Sequence, residues 1–233
     1  MTLAQALAAL AKAGTAQNRK IYARHGVTGE QYGVSYAELK KLKKTIGTDH
    51  ELACGLWRTG NHDARILAAM VADPAALGSR ELDAWARELD NSVVTDAFSS
   101  LVARTPHALR KFAAWRDRKA EHVAACAWNV LGVLAQDEGN DLDEAWLKEQ
   151  VNVIESEIHV RPNRTRHSMN QALIGIGVRG GALEKAALAA AGRIGKVDVD
   201  HGQTSCQTPD AAAYIAKTLA YRAGRKVKGR SRR

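Results

Sequence analysis

The sequence predicts an all-α protein in which paired antiparallel helices stack as an α-solenoid. Alanine, the strongest helix former, supplies 42 of the 233 residues. Apolar residues recur at a spacing near 3.6, whereas the period-2 alternation of strands is almost absent. Signals that begin helices also recur along the whole chain. A compact multi-helix bundle is an alternative that helical periodicity alone does not exclude.

Capping residues mark where the helices should begin. The four-residue segments that start at Thr2, Ser35 and Asp141 resemble capping boxes, in which the first side chain caps backbone amides and the fourth reaches back. Pro106 and Pro209 each follow a threonine that could serve as N-cap. Together with the apolar stripes, these signals predict helices at 2–13, 16–25, 35–47, 49–59, 62–72, 80–89, 91–104, 106–115, 119–135, 141–157, 162–178, 181–192 and 209–222.

The helix pairs recur at an irregular interval of roughly 35–45 residues, which is the range of HEAT-type repeats. No single pair could bury its apolar stripe alone, so neighbouring pairs should stack against one another. Residues 196–200 are the one segment with clean alternation, and we expect a short extended loop there.

The net charge of +9 is unevenly distributed. Seven basic residues and no acidic ones follow from Arg222 to the end, which leaves 27 basic and 25 acidic residues in the rest of the chain. This predicts one helical domain at 1–221 and a basic tail at 222–233. A basic tail attracts phosphate polymers through counterion release, although a tail that only solubilises the protein is the alternative.

Several classes of protein are excluded. The uncharged runs are far shorter than the ~20 residues that cross a bilayer, and the N-terminus lacks the basic region of a secretory signal. Three scattered cysteines, Cys54, Cys126 and Cys206, argue against a disulfide scaffold and favour a reducing compartment. We therefore expect a cytoplasmic protein with no membrane contact and, in the absence of an oligomerisation signal, a monomer.

Four segments resemble the AlkD-like DNA alkylation-repair glycosylases. They are YGVSYAELKK at 32–41, LACGLW with NHDARILA at 52–57 and 61–68, AWARELDNSVVTD at 84–96, and GQTSC with Pro209 and Asp210 at 202–210. The resemblance implies a divergent member of that family with a HEAT-like α-solenoid fold. It also implies excision of N3- or N7-alkylated purines from duplex DNA by a monofunctional N-glycosylase.

The chemistry of that reaction needs one well-placed carboxylate and no metal or other cofactor. An alkylated purine is cationic, so the enzyme mainly stabilises the developing oxocarbenium charge and positions a water. The resemblance gives this role to Asp96, although a structural helix carboxylate is the alternative. Three other groups of the family are replaced here: its two aromatic positions fall at Ser92 and near Gln171, and its arginine falls at 124–125. Trp85 or Trp128 could supply an aromatic from a different position.

Basic clusters near predicted helix ends are candidate phosphate contacts, because helix N-termini add amide donors for phosphate oxygens. Each cluster alone is typical of a solvated surface, but the resemblance favours DNA, and alkylated duplex is the expected partner. The candidate DNA-binding residues are Tyr22, Arg24, Lys40, Lys43, Arg65, Arg161, Arg164 and Arg166.

Two further patterns allow alternative interpretations. The glycines at 175, 177 and 180 match a dinucleotide-binding fingerprint, but that motif needs a preceding strand, so we interpret them as a helix end and turn. The polar segment 198–208 carries His201 and Cys206, which could bind zinc or act as base and nucleophile. A polar loop that lines the DNA cleft is the preferred interpretation.

Three functional hypotheses follow from the sequence. The first is a DNA-binding repair protein that acts as a glycosylase through Asp96. The second is a non-catalytic protein that binds DNA structures on the same scaffold. The third is an α-solenoid adaptor that binds a protein partner.

Overall fold

The structure is a computed structural model that describes residues 1–137 and 139–230, with the backbone alone for 225–230. Over this part of the chain it contains thirteen α-helices and no strand, which confirms the all-α prediction. The helices are α1 Leu3–Ala13, α2 Ala16–Arg24, α3 Tyr36–Ile46, α4 His50–Arg58, α5 His62–Val71, α6 Ser79–Arg87, α7 Ser92–Val102, α8 Ala108–Trp115, α9 Glu121–Gln136, α10 Glu144–Glu157, α11 Asn163–Gly177, α12 Gly181–Ile194 and α13 Ala211–Arg230. A 3-10 turn, Ile158–Val160, follows α10.

Side-chain caps fix most of the helix starts. Thr2 forms a complete capping box with Gln5, and Ser35 caps α3 by accepting from the backbone N–H of Glu38, as predicted. The third predicted box was placed too early, because the carboxylate of Asp143, and not that of Asp141, caps the helix by accepting from the N–H of Trp146.

The last helix is longer than the sequence predicts. Helix α13 continues through Arg230, so residues 222–230 of the predicted basic tail lie in a helix, whereas 231–233 lie outside the described residues. The Arg222 guanidinium donates to the carbonyl oxygen of Val178 at 2.8 Å, which ties this part of α13 to the end of α11.

The chain packs into two compact units. The first unit comprises residues 1–127 with 201–206, and the second comprises 128–200 with the chain from 207 onward. In the first unit, Trp57 and Trp85 stack with ring centroids 4.3 Å apart, and Phe98 and Trp115 extend this aromatic core. Trp85 is therefore a core residue and does not supply an aromatic surface for a base.

The second unit packs its helices closely at small residues. A side chain at Gly175 would place its Cβ 2.6 Å from the carbonyl oxygen of Gly132, and one at Gly177 would meet Ile215 Cδ1 at 2.4 Å. These glycines therefore allow α11 to approach α9 and α13. The expected helix end and turn is confirmed, since α11 ends at Gly177 and Gly180, with φ 83°, caps α12. Trp128 is fully buried, so it too is a core residue.

Two sequence-level exclusions can be compared with the structure. None of the helices that the structure describes combines the length and the apolar character that crossing a bilayer requires. All three cysteines are free thiols: Cys126 is buried, Cys54 is half-buried and Cys206 is exposed.

Candidate nucleic-acid interface

Asp96 lies in the second turn of α7 with its side chain exposed. The helix is positioned by its N-cap, Asn91, whose side-chain oxygen accepts from the backbone N–H of Val94 at 3.0 Å. Further along the helix, the Ser100 hydroxyl donates to the backbone carbonyl of Asp96 at 3.0 Å. The predicted carboxylate is therefore on an accessible face of a well-capped helix.

Tyr36, the first residue of α3, is the aromatic side chain that the structure associates with Asp96. Burial of the phenol raises the pKa of Tyr36 to about 12, and the negative charge of Asp96 adds to this rise. The two side chains are therefore within electrostatic range of each other, although 39% of Tyr36 is exposed. Asp96 and Tyr36 together form what we call the carboxylate–phenol pair.

Cys126 on α9 is a second group within electrostatic range of Asp96. Burial raises the pKa of the Cys126 thiol to about 12; a hydrogen bond with Ser99 opposes the rise, and the charge of Asp96 adds to it. Asp96 thus lies within electrostatic range of groups from both α3 and α9. Cys126 is fully buried, whereas Tyr36 is partly exposed, so Tyr36 is the one of these two groups that is accessible to a ligand.

The residues that stand where the resemblance places two aromatic side chains and an arginine do not provide an aromatic ring or a positive charge. Ser92, one turn before Asp96, is half-exposed and carries no aromatic ring. Ala124 and Ala125, which stand where the resemblance places an arginine, are both buried. Gln171 is half-buried in α11 of the second unit. Tyr36 was overlooked, although it lies inside the quoted 32–41 segment directly after the Ser35 cap.

A buried carboxylate holds the start of α3 in place. Asp63 is fully buried in the first turn of α5 and accepts three backbone N–H groups, from Tyr32 at 2.7 Å, Gly33 at 3.0 Å and Val34 at 2.8 Å. This contact joins two of the segments that carry the family resemblance, 32–41 and 61–68. We call it the Asp63 anchor, and it fixes the backbone that leads to Tyr36.

Tyr22 belongs to the packing around this anchor and not to an exposed surface. Only 8% of the residue is exposed, and its hydroxyl donates to the carbonyl oxygen of Val34 at 2.6 Å. Its ring meets the buried His62 edge-on, with centroids 4.8 Å apart, and burial lowers the pKa of His62. The structure therefore does not present the phenol of Tyr22 to a phosphate.

Two of the predicted arginines are already engaged within the protein. Arg65 pairs with the Glu88 carboxylate at 2.5 Å, donates to the Glu88 carbonyl at 3.1 Å and lies 5.3 Å from the centroid of the Trp57 ring. Arg161 forms an ion pair with Glu157 one turn earlier, with Nε 3.0 Å from the carboxylate. Arg65 thus links α5 to the end of α6, and Arg161 contacts the end of α10.

The remaining predicted cations divide between the two units. Arg24, Lys40 and Lys43 are exposed on α2 and α3 of the first unit, the unit that holds the carboxylate–phenol pair. Arg164 and Arg166 are half-buried in the first turn of α11 in the second unit. Arg166 is within electrostatic range of Asp198, whose pKa is lowered mainly by Lys196 and further by Arg166.

The polar segment 198–208 is divided between the units: residues 201–206 belong to the first, and the rest belong to the second. In the second unit the Asn163 amide donates to the Asp200 carbonyl, and the Asp200 N–H donates to the Asn163 side-chain oxygen, both at 2.7 Å. In the first unit, a Cβ on Gly202, which has φ 64°, would lie 2.9 Å from the Arg24 carbonyl oxygen. Gly202 therefore lies close to the backbone at the end of α2.

A basic cleft in the first unit was missed by sequence reasoning. It has a volume of about 850 Å³ and lies between α6, α8 and the start of α9. The density of basic residues over 110–119 was the signal that could have indicated it. The exposed cationic residues on its lining are Arg87, Arg110, Arg118 and Lys119.

The wall of the basic cleft contains a buried cation. Lys111 is 3% exposed, and its Nζ lies 2.6 Å from the Asp83 carboxylate, which also accepts from Trp115 Nε1 at 2.9 Å. Burial alone would raise the pKa of Asp83, but the hydrogen bonds from Lys111 and Trp115 lower it overall. Asp83 offsets the charge of Lys111, so the positive charge of the cleft comes from its exposed cations.

Comparison with known proteins identifies the family. The model of the DNA alkylation repair enzyme family matches residues 3–215. The chain belongs to this DNA alkylation repair family. An uncharacterized protein of Listeria innocua is 30% identical over 206 residues, which cover 85% of this chain and 88% of that protein. An uncharacterized protein of Listeria monocytogenes is 28% identical over 204 residues, with the same coverage of both chains.

A solved structure supports the fold of this family member. It comes from a group described as a new family of proteins related to the HEAT-like repeat DNA glycosylases with affinity for branched DNA structures. The two chains align with a TM-score of 0.86 at 24% sequence identity, over 95% of each chain. The HEAT-like repeat fold predicted from the sequence is thus confirmed.

Proposed function

We propose that this DNA alkylation repair protein binds duplex DNA through its first unit and places an alkylated purine at the carboxylate–phenol pair. The observation that supports this proposal is the exposed Asp96, which is within electrostatic range of the partly exposed Tyr36. Both lie in the unit that also carries Arg24, Lys40 and Lys43. The proposal includes a monomer that acts in the cytoplasm and needs no cofactor for the reaction.

Each member of the pair has a chemical role in this proposal. The electron-rich face of Tyr36 attracts the cationic base, an interaction worth roughly 0.5–2 kcal/mol. The Asp96 carboxylate stabilises positive charge on the sugar as the glycosidic C–N bond breaks, and the departing base takes the bonding electrons and leaves neutral. Asp96 then accepts a proton from the water that forms the new C–O bond.

The catalytic part of the proposal is tested by base release from alkylated duplex DNA. The wild-type protein should release 3-methyladenine or 7-methylguanine, and Asp96→Asn should abolish release while it leaves the fold intact by circular dichroism. Asp141→Asn, which changes an exposed aspartate in the second unit, is the matched control and should retain activity. Absence of release at protein concentrations equal to the substrate would remove the glycosylase from the proposal.

The binding part is tested by the salt dependence of affinity. The logarithm of the association constant for duplex DNA falls linearly with the logarithm of the salt concentration, and each phosphate contact that is lost should make this slope shallower by about 0.9. We expect the double variant with Lys40→Ala and Lys43→Ala to show a shallower slope, measured by fluorescence anisotropy. Lys148→Ala, a change of a partly exposed lysine in the second unit, should leave the slope unchanged. An unchanged slope in the double variant would show that Lys40 and Lys43 do not contact the DNA phosphates.

A non-catalytic protein that binds DNA structures is the second candidate. It is favoured by the buried alanines at 124–125, since no cation stands where the glycosylases of the resemblance carry an arginine. The related structure with affinity for branched DNA supports the same alternative. Tighter binding to a three-way or four-way junction than to a duplex of equal length, without base release, would favour this candidate over the glycosylase.

A further inference from the structure

Three side chains with metal-binding chemistry converge in the first unit. They are His50 and Cys54 on α4 and Glu81 on α6, and all three are half-buried. His50 Nε2 lies 3.6 Å from Cys54 Sγ and 3.6 Å from one Glu81 oxygen, while Cys54 Sγ lies 3.2 Å from the other. We call this the His–Cys–Glu cluster.

The spacing of the cluster matches that of a tetrahedral zinc site. Zinc binds sulfur at ~2.3 Å and imidazole nitrogen or carboxylate oxygen at ~2.0–2.2 Å. In a tetrahedron these bond lengths place neighbouring ligand atoms about 3.3–3.6 Å apart. The observed separations of 3.2–3.6 Å are close to these values. Because the Cys54 sulfur and the His50 nitrogen approach different oxygens of Glu81, a rotation of the carboxylate would offer one oxygen to an ion that all three residues share.

The backbone explains why the three groups meet. His50 and Cys54 are four residues apart, so they lie on the same face of α4. Glu81 lies in the first turn of α6, and its carboxylate reaches both of them. The Cys54 thiol donates to Glu81, so the carboxylate is oriented towards the sulfur.

The cluster is distinctive within the described part of the chain. Among those residues it is the one group of three histidine, cysteine, aspartate or glutamate side chains whose ligand atoms lie within 4.8 Å of one another. His201 and Cys206, for which the sequence allowed a zinc site, do not belong to such a group.

We propose that His50, Cys54 and Glu81 bind one Zn²⁺ ion, with a water in the fourth position. One nitrogen, one sulfur and one oxygen ligand suit this borderline-soft cation, whereas Mg²⁺ and Ca²⁺ favour sites made of oxygen alone. The ion joins the start of α4 to the start of α6 and so stabilises the contact between these helices. This role does not depend on the proposed DNA chemistry.

The site is tested on the full chain after treatment with a chelator. Co²⁺, a spectroscopic substitute for zinc, should bind in one equivalent and give a thiolate-to-cobalt charge-transfer band, and added Zn²⁺ should displace it. Cys54→Ser should remove the band and weaken Zn²⁺ binding by at least about tenfold. Cys206→Ser is the matched control because that thiol is exposed elsewhere, and it should retain both the band and the affinity.

A second variant keeps the test decisive if Cys54→Ser fails to fold. Glu81→Gln keeps the shape of the side chain and removes the charge, so it should retain the band at saturating Co²⁺ but bind Zn²⁺ about tenfold more weakly. Zinc should also raise the thermal midpoint of the wild type more than that of Glu81→Gln. Absence of the charge-transfer band in the wild type, or stoichiometric zinc binding that survives both variants, would overturn the proposal.

Discussion

The two units stabilise their helix contacts by opposite means. The first unit contains large aromatic rings and buried polar groups, such as the Trp57–Trp85 stack and the Asp63 anchor. The second unit brings helices together where a side chain is missing, as at Gly175 and Gly177. The first unit is therefore sensitive to the removal of a group, and the second is sensitive to the addition of one.

The largest effect should come from removing the Asp63 anchor. Asp63→Ala leaves three backbone N–H groups without an acceptor; those of Gly33 and Val34 are buried, and that of Tyr32 is partly buried. Each buried group costs about 1–3 kcal/mol. Because the three share one site and relax together, we expect a loss of about 3–5 kcal/mol in the free energy of unfolding, measured by chemical denaturation.

The control for this prediction is an exposed aspartate. Asp117→Ala should change the free energy of unfolding by no more than about 0.5 kcal/mol, because substitutions away from buried features are nearly neutral. A loss below about 1 kcal/mol in Asp63→Ala would show that the anchor contributes little to the stability of the first unit.

The second unit offers a matched pair of identical substitutions. Gly175→Ala forces a Cβ to within 2.6 Å of the Gly132 carbonyl oxygen, so α9 and α11 must separate, and overpacking of this kind costs about 1–3 kcal/mol. Gly192→Ala adds the same methyl group in α12, where nothing lies within 4 Å, and should stabilise the protein by about 0.4–1 kcal/mol. If both substitutions changed the free energy of unfolding in the same direction, the close packing at Gly175 would be contradicted.

The wall of the basic cleft should show an asymmetry between the two partners of an ion pair. Asp83→Ala leaves the buried Lys111 ammonium without its carboxylate and should cost about 1–3 kcal/mol. Lys111→Met removes the buried charge, fills its space and leaves Asp83 partly exposed to water, so it should cost less. Thermal unfolding of both variants measures the difference, and equal losses would argue against a buried, paired lysine.

The helices were predictable because their signals are local. Capping residues such as Thr2 and Ser35 bond to amides three residues away, so sequence spacing alone indicates where a helix begins. The apolar period of 3.6 is equally local. Most helix boundaries therefore fall within two residues of the prediction. The exceptions are the start of α10, which Asp143 caps, and the end of α13, which continues to Arg230.

The candidate site was only partly predictable because its contacts are distant in sequence. Asp96 was identified by resemblance, but its neighbour Tyr36 lies on another helix that spacing cannot place beside it. Arg65 was a reasonable phosphate ligand until the structure placed Glu88 against it. The His50–Cys54 spacing is visible in the sequence, whereas the third ligand, Glu81, comes from a different helix.

The smallest effect concerns the ionisation of Tyr36. Burial raises the pKa of this phenol from 10.0 to about 12, and the Asp96 charge contributes because it disfavours a nearby phenolate. Asp96→Asn removes that charge, so the pKa of Tyr36 should fall while remaining above 10.0. Phenolate absorbance during an alkaline titration measures the change, and Tyr36→Phe identifies which tyrosine produces the signal.

The same substitution should alter stability only at high pH. Because folding raises the pKa of this phenol above its unfolded value of 10.0, its contribution to stability is complete below pH 10 and is lost as the pH approaches 12. Asp96→Asn narrows the gap between the folded and unfolded pKa values, so its stability should decline less steeply than that of the wild type over this interval. Parallel declines would mean that Asp96 and Tyr36 do not interact, and the carboxylate–phenol pair would then not form one site.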